Sequence, residues 1–174
     1  MLAEVGDPDP AVRRQMAHVL GKVADPRAVP ALVDLLSDDP EVAAKAAFAL
    51  GQVGGPDALA ALVGALGSGG SGLRATIVTA LGGWGPEAVA PVLARLGSGS
   101  AAVRADAAEV LGALGDARAV PGLGARVADP EEDVRITALM ALGSIGGPDA
   151  GEAIRTAHGA AGRTGALAAR LSGA

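Results

Sequence analysis

The stretch Asp7–Leu32, which reads DPDPAVRRQMAHVLGKVADPRAVPAL, contains the pattern that recurs along the whole chain. Its central dipeptide, Leu-Gly, returns four more times, at spacings of 30, 31, 30 and 31 residues. The five copies are Leu20-Gly21, Leu50-Gly51, Leu81-Gly82, Leu111-Gly112 and Leu142-Gly143. Two further apolar columns, which begin at Val12 and Val29, keep the same phase to within one residue. A period of this length indicates a structure built from stacked supersecondary units.

Each repeat reads as two helices joined by a turn. In the first repeat, apolar residues recur at helical spacing from Val12 to Val23 and again from Val29 to Leu36. Pro30 falls in the first turn of the second helix, where its missing N–H costs no hydrogen bond. Since neither helix can bury its apolar stripe alone, we expect the pairs to stack.

We therefore predict an all-α fold, a right-handed α-α superhelix of about five helical hairpins that forms one domain over residues 1–174. The expected repeats are 5–35, 36–65, 66–96, 97–127 and 128–158, followed by a degraded capping helix over 159–174. In that cap, Leu167 and Leu171 are the expected apolar contacts. No comparable cap precedes the first repeat, which predicts an apolar N-terminal edge suited to self-association or to a partner.

The composition excludes several classes of function. The chain has 174 residues, a net charge of −5, no cysteine and only 1% aromatic residues. An acidic chain with few rings lacks the basic surface and the stacking platforms of a general nucleic-acid binder. The absence of cysteine rules out disulfides and cysteine-ligated metals. No secretory leader and no long apolar run is evident, so we expect a cytoplasmic protein without a membrane partner.

One motif suggests a cofactor when it is read alone. The stretch Leu66–Ile77, LGSGGSGLRATI, places Gly67, Gly69 and Gly72 in the G-x-G-x-x-G spacing of a dinucleotide-binding turn. That fingerprint requires a preceding strand, whereas the preceding segment ALAALVGAL is in phase with the second helices of the other repeats. A flexible linker is excluded in the same way, because the repeat continues in phase across it. We predict a turn between the second and third repeats.

The repeat resembles the short bacterial HEAT repeat found in phycobilisome lyases. The shared features are an acidic turn, Val-Arg, an Ala-rich helix, Leu-Gly and Asp-x-Arg-Ala-Val-Pro, and Ala101–Leu123 shows them nearly as clearly as the first repeat. The resemblance covers residues 5 to about 158. This chain departs from it at Ala43, where its other repeats have arginine, and at Trp84, which replaces an aliphatic residue. The resemblance implies a solenoid whose second helices line a concave face, and a bilin lyase or chaperone-like accessory enzyme as one function.

The sequence supplies no convergent catalytic set. His18 and His158 lie in the first and fifth repeats, roughly 40 Å apart if stacked helices are 8–10 Å apart, so they cannot share a metal ion. Some HEAT-repeat oxygenases bind iron through His-Glu pairs, and this chain has no such pair. No nucleophile-elbow motif appears. We assign no catalytic, cofactor-binding or metal-ligating residue and expect no cofactor. Enzymatic activity stays open, with its absence favoured.

Arginine recurs beside the turns, at Arg13, Arg74, Arg104 and Arg135. A ladder of Asp–Arg pairs at these positions would fix helix orientation and satisfy turn carbonyls. We interpret this column as structural, because a functional site is rarely repeated four times.

Positions that interrupt the repeat are better candidates for binding. On the expected concave face, Arg95 and Arg126 share one column on neighbouring repeats, Leu35 occupies that column in the first repeat, and Arg155 lies close by. A local basic strip in an acidic protein suits carboxylates or phosphates.

Phe48 and Trp84 are the only large rings in the chain. We favour core packing for both, although Trp84 lies beside a Gly-flanked turn and is also a candidate exposed anchor for a partner.

The leading hypothesis is a non-catalytic scaffold module whose concave face binds a protein, for which an acidic segment is one candidate ligand. A bilin lyase is the alternative, but its tetrapyrrole pocket would need aromatic residues and a proton donor, and the expected groove is rich in alanine and glycine. A HEAT-like DNA glycosylase is disfavoured by the charge.

Overall fold

The computed structural model describes residues 5–157 and 162–173. The chain divides into two compact units, one ending at Trp84 and the other beginning at Gly85. Within the described residues all regular structure is helical and no strand occurs, which confirms the all-α prediction. The Gly-rich stretch that resembles a dinucleotide-binding turn joins a helix that ends at Gly64 to one that begins at Ser71, as expected for a turn between repeats.

Five helices form the described part of the first unit: α1 (Pro10–Val23), α2 (Val29–Asp34), α3 (Pro40–Val53), α4 (Gly55–Gly64) and α5 (Ser71–Gly82). Six form that of the second: α6 (Val89–Arg95), α7 (Ala101–Leu114), α8 (Val120–Arg126), α9 (Glu132–Ile145), α10 (Pro148–Thr156) and α11 (Gly162–Ser172). The first helix of each repeat (α1, α3, α5, α7, α9) is called an A helix and the second (α2, α4, α6, α8, α10) a B helix.

Local sequence explains where A helices begin. Asp9 accepts a hydrogen bond from the backbone N–H of Ala11 at 2.8 Å, and Asp39 repeats this N-cap before α3. Pro10 and Pro40 follow directly, and each takes a first-turn position in which the absent N–H would have no helical acceptor.

The Leu-Gly dipeptide sets the spacing of neighbouring A helices. Its leucines are the core of the repeats, at most 3% exposed in all five copies. Its glycines allow close approach: a Cβ on Gly21 would lie 2.9 Å from Ala49 Cα, and one on Gly112 would lie 2.8 Å from Ala141 Cα. These distances are too short for any side chain, so helix-to-helix contact explains why glycine recurs here.

The residue four positions after the leucine of each Leu-Gly dipeptide has a positive φ in all five repeats. Four of them are glycines, such as Gly115 with φ 66° and ψ 16°. The first repeat has Ala24 instead, with φ 53° and ψ 36°, and it is the only non-glycine with positive φ among the described residues. Left-handed backbone costs an alanine about 1 kcal/mol relative to glycine.

The capping role of α11 stays a prediction. The helix packs against α9 and α10 in the second unit. Its buried face differs from the expected one, because Thr164, Gly165 and Ala168 are buried, whereas Leu171 is 39% exposed and Leu167 is half-buried. Small residues allow α11 to approach closely. Leu171 covers the open position beside Gly143, where a Cβ would lie 3.1 Å from its Cδ2.

Phe48 does not pack in the core. It is 46% exposed because the buried face of α3 is occupied by alanines together with Val42 and Leu50. The ammonium of Lys45 lies 5.5 Å from the ring centroid, a cation–π arrangement.

Candidate functional site

The turn arginines form a repeated clamp. In the second unit, Arg104 donates from Nε and Nη2 to both carboxylate oxygens of Asp129 at 2.9 and 2.7 Å. Its Nη1 donates to the backbone carbonyls of Ser98 and Gly99 at 2.9 and 3.2 Å. The pair is buried, with Asp129 fully enclosed. One guanidinium thus ties an A helix to the turn before it and to the turn after the next B helix.

The first unit repeats the same geometry at its surface. Arg13 donates to both oxygens of Asp38 at 2.6 Å, and its Nη1 bonds the carbonyls of Asp7 and Pro8 at 2.7 and 3.1 Å. The side chains of this pair are 18% and 17% exposed. The ladder interpretation is confirmed for these two arginines.

Arg135 makes the two contacts to turn carbonyls but, among the described residues, has no carboxylate partner in the place of Asp129 or Asp38. Its Nη1 donates to the carbonyls of Asp129 and Pro130 at 2.8 and 2.9 Å, while its Nε donates to the hydroxyl of Thr164 on α11 at 3.2 Å. At Ala43 the arginine is replaced by a residue that is 2% exposed, so the second repeat buries a methyl group there.

These contacts keep the carboxylate of Asp129 ionised. Burial raises its pKa, but hydrogen bonds from Arg104 and from the backbone of Glu131, with the positive charges nearby, outweigh burial and lower it overall. At neutral pH this carboxylate is ionised and fully partnered, so we interpret it as structural.

Arg95 differs from these clamp arginines. It is the last residue of α6 and is half-buried, and its Nε lies buried with no hydrogen-bond partner among the described residues. No acidic side chain of the described part of the chain pairs with it. An enclosed guanidinium N–H without an acceptor is a feature that a bound carboxylate or phosphate would satisfy.

Arg126 ends α8, the next B helix, at the position equivalent to Arg95. Its Nη1 reaches Asp129 at 3.3 Å, and its side chain is 30% exposed. Because Arg104 already holds both oxygens of Asp129, Arg126 is the weaker partner of that carboxylate. The structure thus ends both B helices with a partly buried arginine.

The other two expected site residues lie elsewhere. Arg155 is exposed and pairs with Glu152 one turn earlier on α10. Leu35 is only 2% exposed, so it is a core residue and the expectation that it faces a partner is wrong. The cause is local: α2 ends at Asp34, and the 3-10 turn Leu35–Ser37 rotates Leu35 inward and leaves Val33 37% exposed.

Trp84 follows α5 and donates its backbone N–H to the carbonyl of Leu81 at 3.0 Å. Its side chain is half-buried. Its role as an anchor for a partner stays a prediction, and only part of the ring surface would be available for it.

The expected N-terminal edge also stays a prediction. Val12, Val23 and Val33 of the first repeat are exposed, whereas residues 1–4 lie outside the described part of the chain.

Sequence reasoning missed two grooves between neighbouring A helices. One lies between α3 and α5 beside Phe48, and the other lies between α7 and α9 beside Met140, which is 58% exposed. The available signal was the column two residues before each Leu-Gly, which changes chemical type from repeat to repeat.

No group of three or more His, Asp or Glu side chains that could hold a metal ion occurs in residues 5–157 and 162–173. His18 has a buried Nδ1 without a hydrogen-bond partner, and His158 lies outside the described residues. Of the described helices, none alone is long and apolar enough to cross a membrane, and one pair interrupted at residues 83–85 reaches that threshold by length and composition only.

Three solved structures illustrate the likeness of the fold. Human deoxyhypusine hydroxylase is 25% identical, over 97% of this chain and 82% of that one, with a TM-score of 0.51. The CpcE–CpcF complex of phycocyanin lyase from Nostoc sp. PCC7120 is 23% identical, over 96% and 72%, with a TM-score of 0.55. A computationally designed armadillo repeat protein for modular peptide recognition is 18% identical, over 98% and 96%, with a TM-score of 0.52.

No curated protein matches the chain in sequence. The family comparison is more direct, because the HEAT-repeat family matches residues 1–82, 29–99, 71–143 and 89–169. These segments together cover nearly all of the sequence and agree with the helical hairpins, the Leu-Gly interfaces and the arginine clamps described above. The chain belongs to the HEAT-repeat family.

Proposed function

We propose that this protein is a non-catalytic interaction module and that its second unit binds an acidic segment of a partner protein through Arg95 and Arg126. The observation that carries the proposal is the buried, unpartnered Nε of Arg95. A buried donor without an acceptor costs about 1–3 kcal/mol. A partner carboxylate that accepts from it would recover that free energy on binding.

Arg126 is suited to act with Arg95. Its 3.3 Å contact with Asp129 is long, and Asp129 remains neutralised by Arg104 when Arg126 turns away. Arg126 can therefore exchange an internal carboxylate for an external one without leaving a buried charge unpaired. Arg155, already paired with Glu152, would add a peripheral charge.

The fold supports an interaction role. HEAT-repeat solenoids are typical of protein-interaction scaffolds, and their extended surfaces suit segments of other proteins. The designed armadillo protein among the structural neighbours was made for modular peptide recognition, although this likeness supports the fold alone. With a net charge of −5, the chain as a whole repels acidic ligands, so recognition of an acidic segment would depend on the local geometry of Arg95 and Arg126.

The bilin-lyase alternative rests on the resemblance of the fold, and fold does not determine function. The groove beside Phe48 is lined mainly by glycine, alanine and threonine. Visible absorbance of a bilin titrated with the protein tests this alternative separately: a shifted spectrum would favour it over the interaction module.

The test uses a fluorescein-labelled peptide rich in glutamate and leucine, and its glutamine counterpart. Fluorescence anisotropy should show that the acidic peptide binds and that its glutamine counterpart does not. The affinity for the acidic peptide should fall as the salt concentration is raised. The double variant Arg95→Glu, Arg126→Glu should reduce the affinity at least about 100-fold, since two charge-assisted contacts are reversed. The control Arg118→Glu, which changes an exposed arginine of the same unit, should leave it within about twofold.

The same variants should be compared by affinity purification from the native host. A partner retained by wild type and by Arg118→Glu, but lost by the double variant, would support the proposal. Equal retention by the double variant, or equal binding of the acidic and neutral peptides, would refute it.

A further inference from the structure

The two grooves between A helices occupy the same place in the repeat. Groove I lies between α3 and α5, and groove II lies between α7 and α9; each encloses about 460 Å³. The floors are equivalent and made of small residues: Gly51 and Ala80 in groove I correspond to Gly112 and Ala141 in groove II. Each floor is open because the glycine–alanine contact brings the two helices together without large side chains.

The apolar wall and the polar wall lie on opposite helices in the two grooves. In groove I, the earlier helix supplies apolar Phe48 and the later helix supplies polar Thr79. In groove II, the earlier helix supplies Glu109 and the later helix supplies apolar Met140. All four residues stand two positions before a Leu-Gly dipeptide.

Both apolar walls are unusually exposed. Phe48 is 46% and Met140 is 58% exposed, whereas long apolar side chains elsewhere in the helices are mostly buried. Each is accompanied by charge: Lys45 lies over the ring of Phe48, and the exposed Glu109 faces Met140 across groove II. Among the described residues Glu109 has no ion-pair partner.

We propose that groove I of one copy of this chain docks onto groove II of a second copy. When two such surfaces face each other with their helices parallel, the earlier helix of each groove lies opposite the later helix of the other groove. Phe48 then meets Met140, and Thr79 meets Glu109, so the apolar walls pair with each other and the hydroxyl can donate to the carboxylate. Lys45 adds a positive charge to one surface, and Glu109 adds a negative charge to the other.

The energetics favour a weak, specific contact. A methionine sulfur against an aromatic ring contributes about 0.3–1.5 kcal/mol beyond burial, and a single anchor on each side buries less surface than a stable dimer needs. Because each copy carries one groove of each kind, the contact is heterologous and joins two or more copies. This surface is separate from the Arg95–Arg126 site, and either proposal can fail without the other.

The experiment is sedimentation velocity from about 5 to 500 µM, the range in which a weak contact is visible. Wild type should show a sedimentation coefficient that rises with concentration. Phe48→Gln removes the apolar wall of groove I, and Met140→Gln removes that of groove II; glutamine keeps the helix propensity close to the original. Each variant alone should associate at least about tenfold more weakly, which corresponds to about 1.4 kcal/mol.

Mixing the two variants gives the decisive result. The Phe48→Gln copy retains groove II and the Met140→Gln copy retains groove I, so an equimolar mixture should recover a one-to-one dimer and nothing larger. The control Val23→Gln removes an equally exposed apolar residue of α1 and should associate as wild type does. Circular dichroism should show that all variants are folded.

Three outcomes would overturn the proposal. They are a wild type that stays monomeric throughout the range, single variants that associate as wild type does, and a mixture that stays monomeric. Loss of association in Val23→Gln alone would assign self-association to the N-terminal edge instead.

Discussion

Arg104 and Arg95 lie in the same unit, yet their guanidinium groups have opposite surroundings. Arg104 is held by both oxygens of Asp129 and by two turn carbonyls, whereas Arg95 has a buried Nε without an acceptor. Arginine occupies the Arg104 position in four of the five repeats, while the Arg95 column holds leucine, alanine or arginine. A position that recurs maintains the stack, and a position that interrupts the repeat is available for recognition.

This comparison predicts that changes at recurring positions cost stability. The largest loss is expected for Asp129→Ala, which leaves a buried guanidinium without its carboxylate and should lower the free energy of unfolding by about 3 kcal/mol. The surface equivalent Asp38→Ala should cost about 1 kcal/mol or less. Urea denaturation followed by circular dichroism measures both, and equal losses would contradict the assigned difference in burial.

The next largest effect concerns the recurring glycine. In Gly112→Ala, the new Cβ lies 2.8 Å from Ala141 Cα, so α7 and α9 must separate, at a cost of about 2 kcal/mol. The matched control is Gly124→Ala within α8, where a Cβ meets only Ala153 Cβ at 3.4 Å. That substitution should be neutral or stabilising by up to about 1 kcal/mol. If both alanines were tolerated equally, the close-approach explanation of Leu-Gly would fail.

A smaller, graded effect is expected with pH. The pKa of Asp129 is lowered in the folded state, so its contribution is fully present above its unfolded pKa of about 3.9. It is lost as pH falls through the folded value. The stability of wild type should therefore decline below about pH 4 more steeply than that of Asp129→Ala.

The carboxylate of a more exposed ion pair serves as the control for this pH dependence. Hydrogen bonds from the side chain and backbone of Arg118 lower the pKa of Asp116 to about 2. Because Arg118 is 59% exposed and Asp116 is 23% exposed, solvent screens this pair more than the Arg104–Asp129 pair, and Asp116→Asn should flatten the stability profile less than Asp129→Ala does. A profile flattened as much in Asp116→Asn as in Asp129→Ala would show that acid sensitivity does not arise mainly from the buried clamp.

The smallest effect on stability is expected at the interrupting position. Arg95→Gln removes a buried N–H donor that no described residue satisfies, so the free energy of unfolding should stay the same or rise by up to about 1 kcal/mol. The affinity for the acidic peptide should fall in the same variant. A loss of stability as large as that of Asp129→Ala would place Arg95 in the framework and end its assignment to recognition.

Much of the fold could be predicted because it depends on local spacing. The regular spacing of the Leu-Gly dipeptides located the helical hairpins and identified the Gly-rich stretch Leu66–Ile77 as a turn. The recurrence of arginine beside the turns predicted the clamps. Orientation at helix ends could not be read in this way. Leu35 is buried because a 3-10 turn follows a six-residue helix, and a change of helix type is not visible in an apolar pattern.

The exposed residues were also beyond sequence reasoning. Phe48 is apolar and lies in a strongly apolar helix, but alanines fill the buried face of α3 and direct the ring outward. The grooves arise where two A helices meet, so their walls come from residues about 31 positions apart. Their composition becomes meaningful only when the two helices are known to be neighbours.

Ala24 gives the chain a built-in comparison with itself. Five copies of one design act as a small alignment within a single molecule, and at the end of the A helix four copies agree on glycine while the first does not. The repeats thus indicate their own improvement: Ala24→Gly should stabilise the first unit by about 1 kcal/mol, and Gly115→Ala should destabilise the second by a similar amount. The copy that deviates thus marks a position at which this chain carries a less favourable residue than its other repeats do.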